Sequence, residues 1–256
     1  MSDMHGKFVW IELMTDDVKA AGAFYGSVLG LDAKDVGGGM NYTMLSKGEA
    51  RYGGMMAIPD EAKAMGAKPA WLGYIAVDDC DASAKAIMAA GGKIYREPSD
   101  VPGMLRFAVA ADPHGAVFDI MTPFGAPPTG GMPAPNSQGT VGWRELHAGN
   151  LETDFAFYSG LFGWKKTDAM DMGPMGAYQL WTAGDQPGGM MGKTEHWPMP
   201  TWAYYFNVDA MDATLERVKA GGGKVANGPM QVPGGQWTAQ CFDPQGVFFA
   251  LVSNAR

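Results

Sequence analysis

The chain has 256 residues, of which 46% are hydrophobic and 18% charged, a globular composition long enough for two domains that each bury a core. Its net charge of −8 disfavours nucleic acid and anionic lipid as partners, and no apolar run approaches the roughly 18 residues of a membrane span. Only two cysteines occur, Cys80 and Cys241, and no basic-then-apolar leader is read at the start, so a reducing cytoplasm is the expected compartment.

In chain order, residues 8–14 have β-type composition and run into Asp16-Asp17, either of which suits the N-cap of a helix. Val18, Ala21, Phe24, Tyr25 and Val28 then recur at helical spacing, and Gly30 closes that helix as a left-handed cap. Strands are predicted near residues 42–45, 54–58 and 74–77. A second helix opens at Asp79–Asp81 and ends at Gly91-Gly92, and strands near 93–95, 106–110 and 116–121 follow. Between the last two, Asp112-Pro113-His114-Gly115 fits a type I turn, with Asp first, Pro second and Gly fourth.

The same series then repeats. Trp10-Ile11-Glu12-Leu13 returns as Trp143-Arg144-Glu145-Leu146, and Phe24-Tyr25 as Phe157-Tyr158. Gly53-Gly54-Met55-Met56 returns as Gly188-Gly189-Met190-Met191, the segment from Trp71 as the segment from Trp202, and the turn at Asp112 as Asp243-Pro244-Gln245-Gly246. An unchanged order at nearly constant spacing marks a tandem duplication. The proline- and glycine-rich stretch between the copies reads as a linker. The expected organisation is therefore a first domain over residues 1–124, a linker over 125–139 and a second domain over 140–256. The expected fold class is α+β, with two βαβββ units per copy.

The doubled βαβββ pattern, the aromatic pair before Leu-Gly or Phe-Gly, and the Asp-Pro-x-Gly turn before an apolar strand resemble the vicinal oxygen chelate superfamily. That superfamily includes glyoxalase I, extradiol dioxygenases, bleomycin-resistance and fosfomycin-resistance proteins. The Trp-x-Glu-Leu start is similar to two-domain glyoxalase-like proteins. The resemblance implies two half-barrel cavities, each with four inward positions that hold a divalent ion in metal-using members. Carried over, those positions are Trp10, Met55, Leu72 and Asp119 in the first copy and Trp143, Met190, Ala203 and Ala250 in the second. Asp119 alone suits a hard or borderline ion, whereas a catalytic ion needs about three protein ligands. A register shifted by one residue adds no His, Glu, Gln or Asp. No cofactor is therefore expected; a divalent metal on displaced ligands, Glu145 and His147 among them, is the alternative.

Strand alternation puts Trp10 with Glu12 on one face, and Trp143, Glu145 and His147 on another. Glu12 and Glu145 read either as ligand anchors or general bases, or as structural carboxylates satisfied by N–H groups or an arginine. Asp119, matched by Ala250, reads as a proton-transfer group in the first cavity or as a buried carboxylate paired with a Lys or Arg. Tyr42 and Tyr178 either offer hydroxyls to a ligand or pack the sheet. Met55 and Met190 either line the cavity with Trp10 and Trp143 or fill the core. His5, His114 and His196 read as solvated or structural. The leading expectation is a metal-independent protein binding a small hydrophobic or mixed-polarity molecule in a Met- and Trp-lined cavity, as bleomycin-resistance proteins use this fold. The alternative is a lyase- or isomerase-like enzyme of glyoxalase type using Glu12, Glu145 or Asp119 for proton transfer; a metal-dependent lyase or dioxygenase is the third reading. The expected state is a monomer with an internal pseudo-dimer, or a homodimer.

Overall fold

The computed structural model describes residues 2–37, 41–125, 131–194 and 199–256. His196 and part of the expected linker, residues 126–130, lie outside the described residues. The first copy runs β1 (Phe8–Thr15), α1 (Val18–Leu29), β2 (Asp32–Asp35), β3 (Tyr42–Lys47), β4 (Ala50–Ala57), a short α2 (Asp60–Ala64), β5 (Ala70–Ala76), α3 (Cys80–Ala89), β6 (Lys93–Val101), β7 (Leu105–Ala111) and β8 (Val117–Pro123). The second runs β9 (Val141–His147), α4 (Leu151–Phe162), β10 (Lys165–Asp171), β11 (Ala177–Ala183), β12 (Gln186–Met191), β13 (Thr201–Asn207), α5 (Met211–Ala220), β14 (Lys224–Gln231), β15 (Trp237–Phe242) and β16 (Phe248–Ser253). Each copy forms one eight-stranded mixed sheet, in the order β2-β3-β4-β1-β5-β8-β7-β6 and, equivalently, β10-β11-β12-β9-β13-β16-β15-β14. This is the α+β duplication of βαβββ units that the repeated motifs imply.

The caps follow the sequence signals. Asp17 accepts the N–H of Ala20 at the start of α1, Asp79 that of Ala82 before α3, and Asn150 those of Glu152 and Thr153 before α4. Gly30 and Gly163 end α1 and α4 in the left-handed region, at φ 69° and 71°.

Compact packing divides the chain differently from the repeat. One unit gathers Met1–Trp10, Leu72–Pro127 and Arg144–Trp202; the other gathers Ile11–Trp71, Pro128–Trp143 and Ala203–Arg256. Each unit thus joins half of one copy to the complementary half of the other. The aromatic pairs and the Asp-Pro-x-Gly turns explain the pairing. In the first unit, the buried Tyr158 of α4 donates to Asp112 Oδ2 at 3.2 Å, and its hydroxyl accepts the Trp202 indole N–H at 3.2 Å. In the second, the buried Tyr25 of α1 donates to Asp243 Oδ2 at 3.2 Å beneath the edge of Trp71. The other carboxylate oxygen organises the turn. Asp112 Oδ1 accepts from the N–H groups of His114, Gly115 and Ala116; Asp243 Oδ1 accepts from those of Gln245 and Val247. Each aspartate therefore ties a turn in one copy to a helix of the other.

The cores around these pairs differ in chemistry. In the first unit Trp164 stacks on Trp181 at 4.0 Å and on Tyr158 at 4.8 Å, and Phe118 meets Tyr158 and Phe162. In the second, Phe249 packs against Phe24 and Tyr25 of α1. Phe118 and Phe249 thus mark the helix-covered faces of β8 and β16.

Burial pushes the Asp112 and Asp243 carboxyls above the usual carboxylate range, Asp154 adding to the effect at Asp112. Burial likewise drives both tyrosine hydroxyls well above their ordinary value, so they stay protonated and donate. Replacing Asp112 or Asp243 by Ala strands several buried donors and is expected to cost about 3–5 kcal/mol in urea unfolding. Because the folded-state pKa is raised, the stabilisation these carboxyls contribute is complete below the unfolded value of about 4 and is lost as pH rises through the folded value. An Asp112→Asn/Asp243→Asn chain should therefore show a flatter fall in urea midpoint across that window than the parent.

Candidate functional site

The faces of β1 and β9 settle where the predicted residues point. Leu13 is paired with Met55, and the Met55 methyl packs on α1 beside Gly22, so both face the helices. Glu12 and its partner Gly54, like Met14 and its partner Met56, lie on the opposite, helix-free face. The second copy repeats this: Leu146 pairs with Met190, Glu145 with Gly189 and His147 with Met191. Met55 and Met190, expected to line the cavity, are therefore core residues at 0% exposure, and Met56 and Met191 take the helix-free positions. The correction is a one-residue change of register, which inverts the face of every side chain in a strand.

Tyr42 and Tyr178 do stand beside the two glutamates. Tyr42 pairs with Met56 and Tyr178 with Met191, and each ring leans diagonally across β4 or β12. A Cβ at Gly54 would collide with the Tyr42 hydroxyl, and one at Gly189 with the Tyr178 hydroxyl. This accounts for the repeated Gly-Gly: the second glycine leaves room for a phenol lying flat on the strand. In the second copy the consequence is explicit. The Tyr178 hydroxyl donates to Glu145 Oε2 at 2.7 Å, and His147 Nε2 lies 2.9 Å from Glu145 Oε1. The carboxylate and the imidazole are 7% and 2% exposed. A tyrosine, a glutamate and a histidine thus meet around one buried carboxylate. The first copy has Glu12 buried, with Met14 at the place of His147.

Asp119 also lies on the helix-free face, opposite the helix-facing Phe118, at 1% exposure. Its ladder neighbours are Tyr74 of β5 and Val109 of β7, and Arg96 of β6 covers the nearby Phe107 ring at 4.7 Å. On the matching face of the second copy, Ala203, Tyr205, Ala250 and Val252 form a cluster onto which Trp143 and Phe248 pack, and Gln240 donates to the Tyr205 hydroxyl at 3.4 Å. Trp143 therefore has the helix-free orientation read from the sequence, and Trp10 shares it by alternation with Glu12. A groove of about 520 Å³ opens along β2–β4 between Lys34, Met44, Glu49 and Arg51, and contains none of the predicted residues. His5 and His114 are structural, as read: His5 Nε2 lies 3.2 Å from the Leu161 carbonyl, and His114 bonds the buried Asp154. Burial pushes both thiols, Cys80 and Cys241, up to about 12, which leaves them protonated.

With this geometry in place, comparison with known proteins is direct. Residues 7–120 and 140–251 each match the Glyoxalase/Bleomycin resistance protein/Dioxygenase superfamily, and the chain belongs to that superfamily. It is 42% identical over 120 residues to CFP32, a glyoxylase by name, of Mycobacterium bovis; the match spans 46% of this chain and only 44% of that protein. It is 33% identical over 276 residues to the anthracycline biosynthesis protein DauV of Streptomyces sp. strain C5, covering 96% of this chain and 93% of the relative. In fold it is similar to the Mn(II)-bound glyoxalase of Novosphingobium aromaticivorans, at 17% identity and a TM-score of 0.67 over 99% of this chain and 83% of that one.

The superfamily implies a divalent metal, and the side chains at the carried-over positions do not fit one. Trp10, Leu72, Trp143, Ala203 and Ala250 offer no donor, and Met55 and Met190 face the helices. Among the described residues no group of three or more His, Cys, Asp or Glu side chains is placed to hold an ion. Also among the described residues, no helix is long and apolar enough to cross a membrane.

Gly189→Ala should force the Tyr178 ring off β12 and separate it from Glu145, destabilising the protein by about 2–4 kcal/mol. Tyr178→Phe, which removes the hydroxyl alone, should cost about 1–2 kcal/mol. Urea denaturation of the two variants checks that order.

Proposed function

We propose that this superfamily member binds a small hydrophobic or mixed-polarity molecule without a metal, on helix-free sheet faces where a buried carboxylate is set among aromatic and methionine side chains. The observation that carries the reading is the Tyr178–Glu145–His147 cluster. A glutamate kept 7% exposed costs several kcal/mol in lost hydration unless it is hydrogen-bonded, and here two polar side chains are built around it. Around it the surface is soft and apolar, with Met191 and Leu180 on the same face. The near-full-length relative named for anthracycline biosynthesis supports a ligand of natural-product size.

A second reading has its own observation. Glu145 beside His147 is the pairing a proton-transfer enzyme would use, and it supports a lyase- or isomerase-like activity of glyoxalase type. In the first copy this reading uses Glu12, which has Met14 where Glu145 has His147, or Asp119, which has Ala250 as its second-copy counterpart.

Elemental analysis of untagged protein purified without chelator should find no stoichiometric divalent ion; one tightly held ion per chain would overturn the metal-free reading. Native mass spectrometry should reveal a co-purifying organic molecule, and an anthracycline should quench tryptophan fluorescence on titration. Under the binding reading, Glu12→Gln and Glu145→Gln shift that Kd by less than about tenfold. Under the enzymatic reading, either change abolishes turnover of whatever substrate the native spectrum identifies.

A further inference from the structure

A second polar place lies on the helix-free face of the first copy, within one compact unit, and shares no residue with the Tyr178–Glu145–His147 cluster. Glu12 of β1 pairs with Gly54 of β4, Gly54 with Met44 of β3 and Met44 with Lys34 of β2, so these four positions form one cross-strand row. At about 4.8 Å per strand, Lys34 stands roughly 14 Å along the sheet from Glu12. The groove of about 520 Å³ on β2–β4 is the outer end of this row, lined by Lys34, Met44, Ser46 and Arg51, and its size is ordinary for a small-molecule site.

A β-bulge brings Arg51 to that groove. Leu45 pairs with Gly53 but Ser46 with Arg51, which leaves Tyr52 as an extra residue on β4. Strict alternation from Gly54 would put Arg51 on the helix side; the extra residue returns it to the face of Met44 and Ser46. Arg51 is half-buried and Ser46 buried. Among the described residues, the Arg51 guanidinium and the Ser46 hydroxyl form no hydrogen bond or ion pair. The other charges are engaged or open to water: Lys34 pairs with Asp32 at 3.1 Å, Asp35 accepts the Gly37 N–H at 2.8 Å, and Glu49 is exposed at the β3–β4 turn. A planar guanidinium fork beside a hydroxyl matches the two oxygens of a carboxylate, and the neighbouring acids disfavour a dianion.

The second copy lacks this arrangement. Strands β11 and β12 pair without a shift. Gln186, which precedes Gly188-Gly189 as Arg51 precedes Gly53-Gly54, bonds the Phe8 main chain, accepting its N–H at 2.9 Å and donating to its carbonyl at 2.8 Å.

We propose that the groove is an anion subsite of the first copy alone, taking the carboxylate of a small organic acid on Arg51 and Ser46 while the apolar body rests on Met44. It goes beyond the reading above, since it draws on neither glutamate.

Calorimetric titration of the full chain with 2-naphthoate, 2-naphthamide and 2-naphthyl phosphate at constant ionic strength tests it. Naphthoate should bind at least about fivefold tighter than the neutral amide and than the phosphate. That preference over the amide should shrink at about 1 M salt, where charges are screened beyond about 3 Å. Arg51→Gln should bring naphthoate and naphthamide to within about twofold of each other, and Arg51→Lys should fall between, because the charge stays and the fork is lost. Should Arg51→Gln not fold, Arg51→Lys and the salt series decide. Equal affinity for naphthoate and naphthamide in the parent, tighter binding of the phosphate, a preference that survives Arg51→Gln, or no binding of naphthoate would each overturn the proposal. None of these outcomes touches the Glu145 cluster, whose binding reading stands or falls on its own titration.

Discussion

Two tyrosine hydroxyls, each satisfied by an aspartate of the other repeat, organise this protein. Tyr25 and Tyr158 are both fully buried, and a phenol taken out of water must find an acceptor or lose a bond it had in solvent. Asp243 and Asp112 supply those acceptors while holding the N–H groups of their own turns. Helix α1 is thereby committed to the last strands of the second copy, and helix α4 to those of the first. The two compact units follow from this exchange, and it leaves the opposite sheet faces free of helices. Glu12, Glu145 and Asp119 occupy those faces, so the site chemistry depends on packing that lies behind the sheets.

The duplication, the α+β class and the helix caps were legible in the sequence because they rest on local rules: Asp and Asn before a helix, Gly after it, and apolar periodicity between. The exchange was not. The aromatic pair and the Asp-Pro-x-Gly turn are both visible as repeated motifs, yet repetition is silent on whether a motif meets its partner within its own copy or across copies. A buried Tyr at one end of the repeat and a self-bonded Asp at the other are the only trace, and each has a sufficient local explanation.

The site shows the same division. Glu12, Glu145, His147 and Trp143 took their predicted face because strand alternation is reliable once one residue is anchored. Met55 and Met190 did not, since a doubled methionine offers two equally apolar candidates and composition cannot pick the face. Leu13 and Leu146, paired with them, were the better guide: a strand flanked by a helix keeps its fully buried aliphatic residues on one side. The glycine before each methionine pair was read as part of a motif without a cause. Its cause is steric and belongs to a tyrosine on the neighbouring strand, which no single-strand pattern contains. The approach of His147 to Glu145 follows from strand alternation, which sets the two on one face two residues apart, although the first copy carries Met14 at the matching place.

The space above Gly54 and Gly189 also constrains how these repeats can diverge. While a tyrosine lies across the strand, any side chain at the glycine is blocked, so the glycine is free to change only after the ring has shrunk or gone. Substitution at the two positions is ordered: the aromatic residue must be lost first, and the small residue can drift afterwards. Each repeat therefore keeps its glycine for as long as it keeps its phenol, a one-way evolutionary constraint that His147, on a separate strand, does not impose.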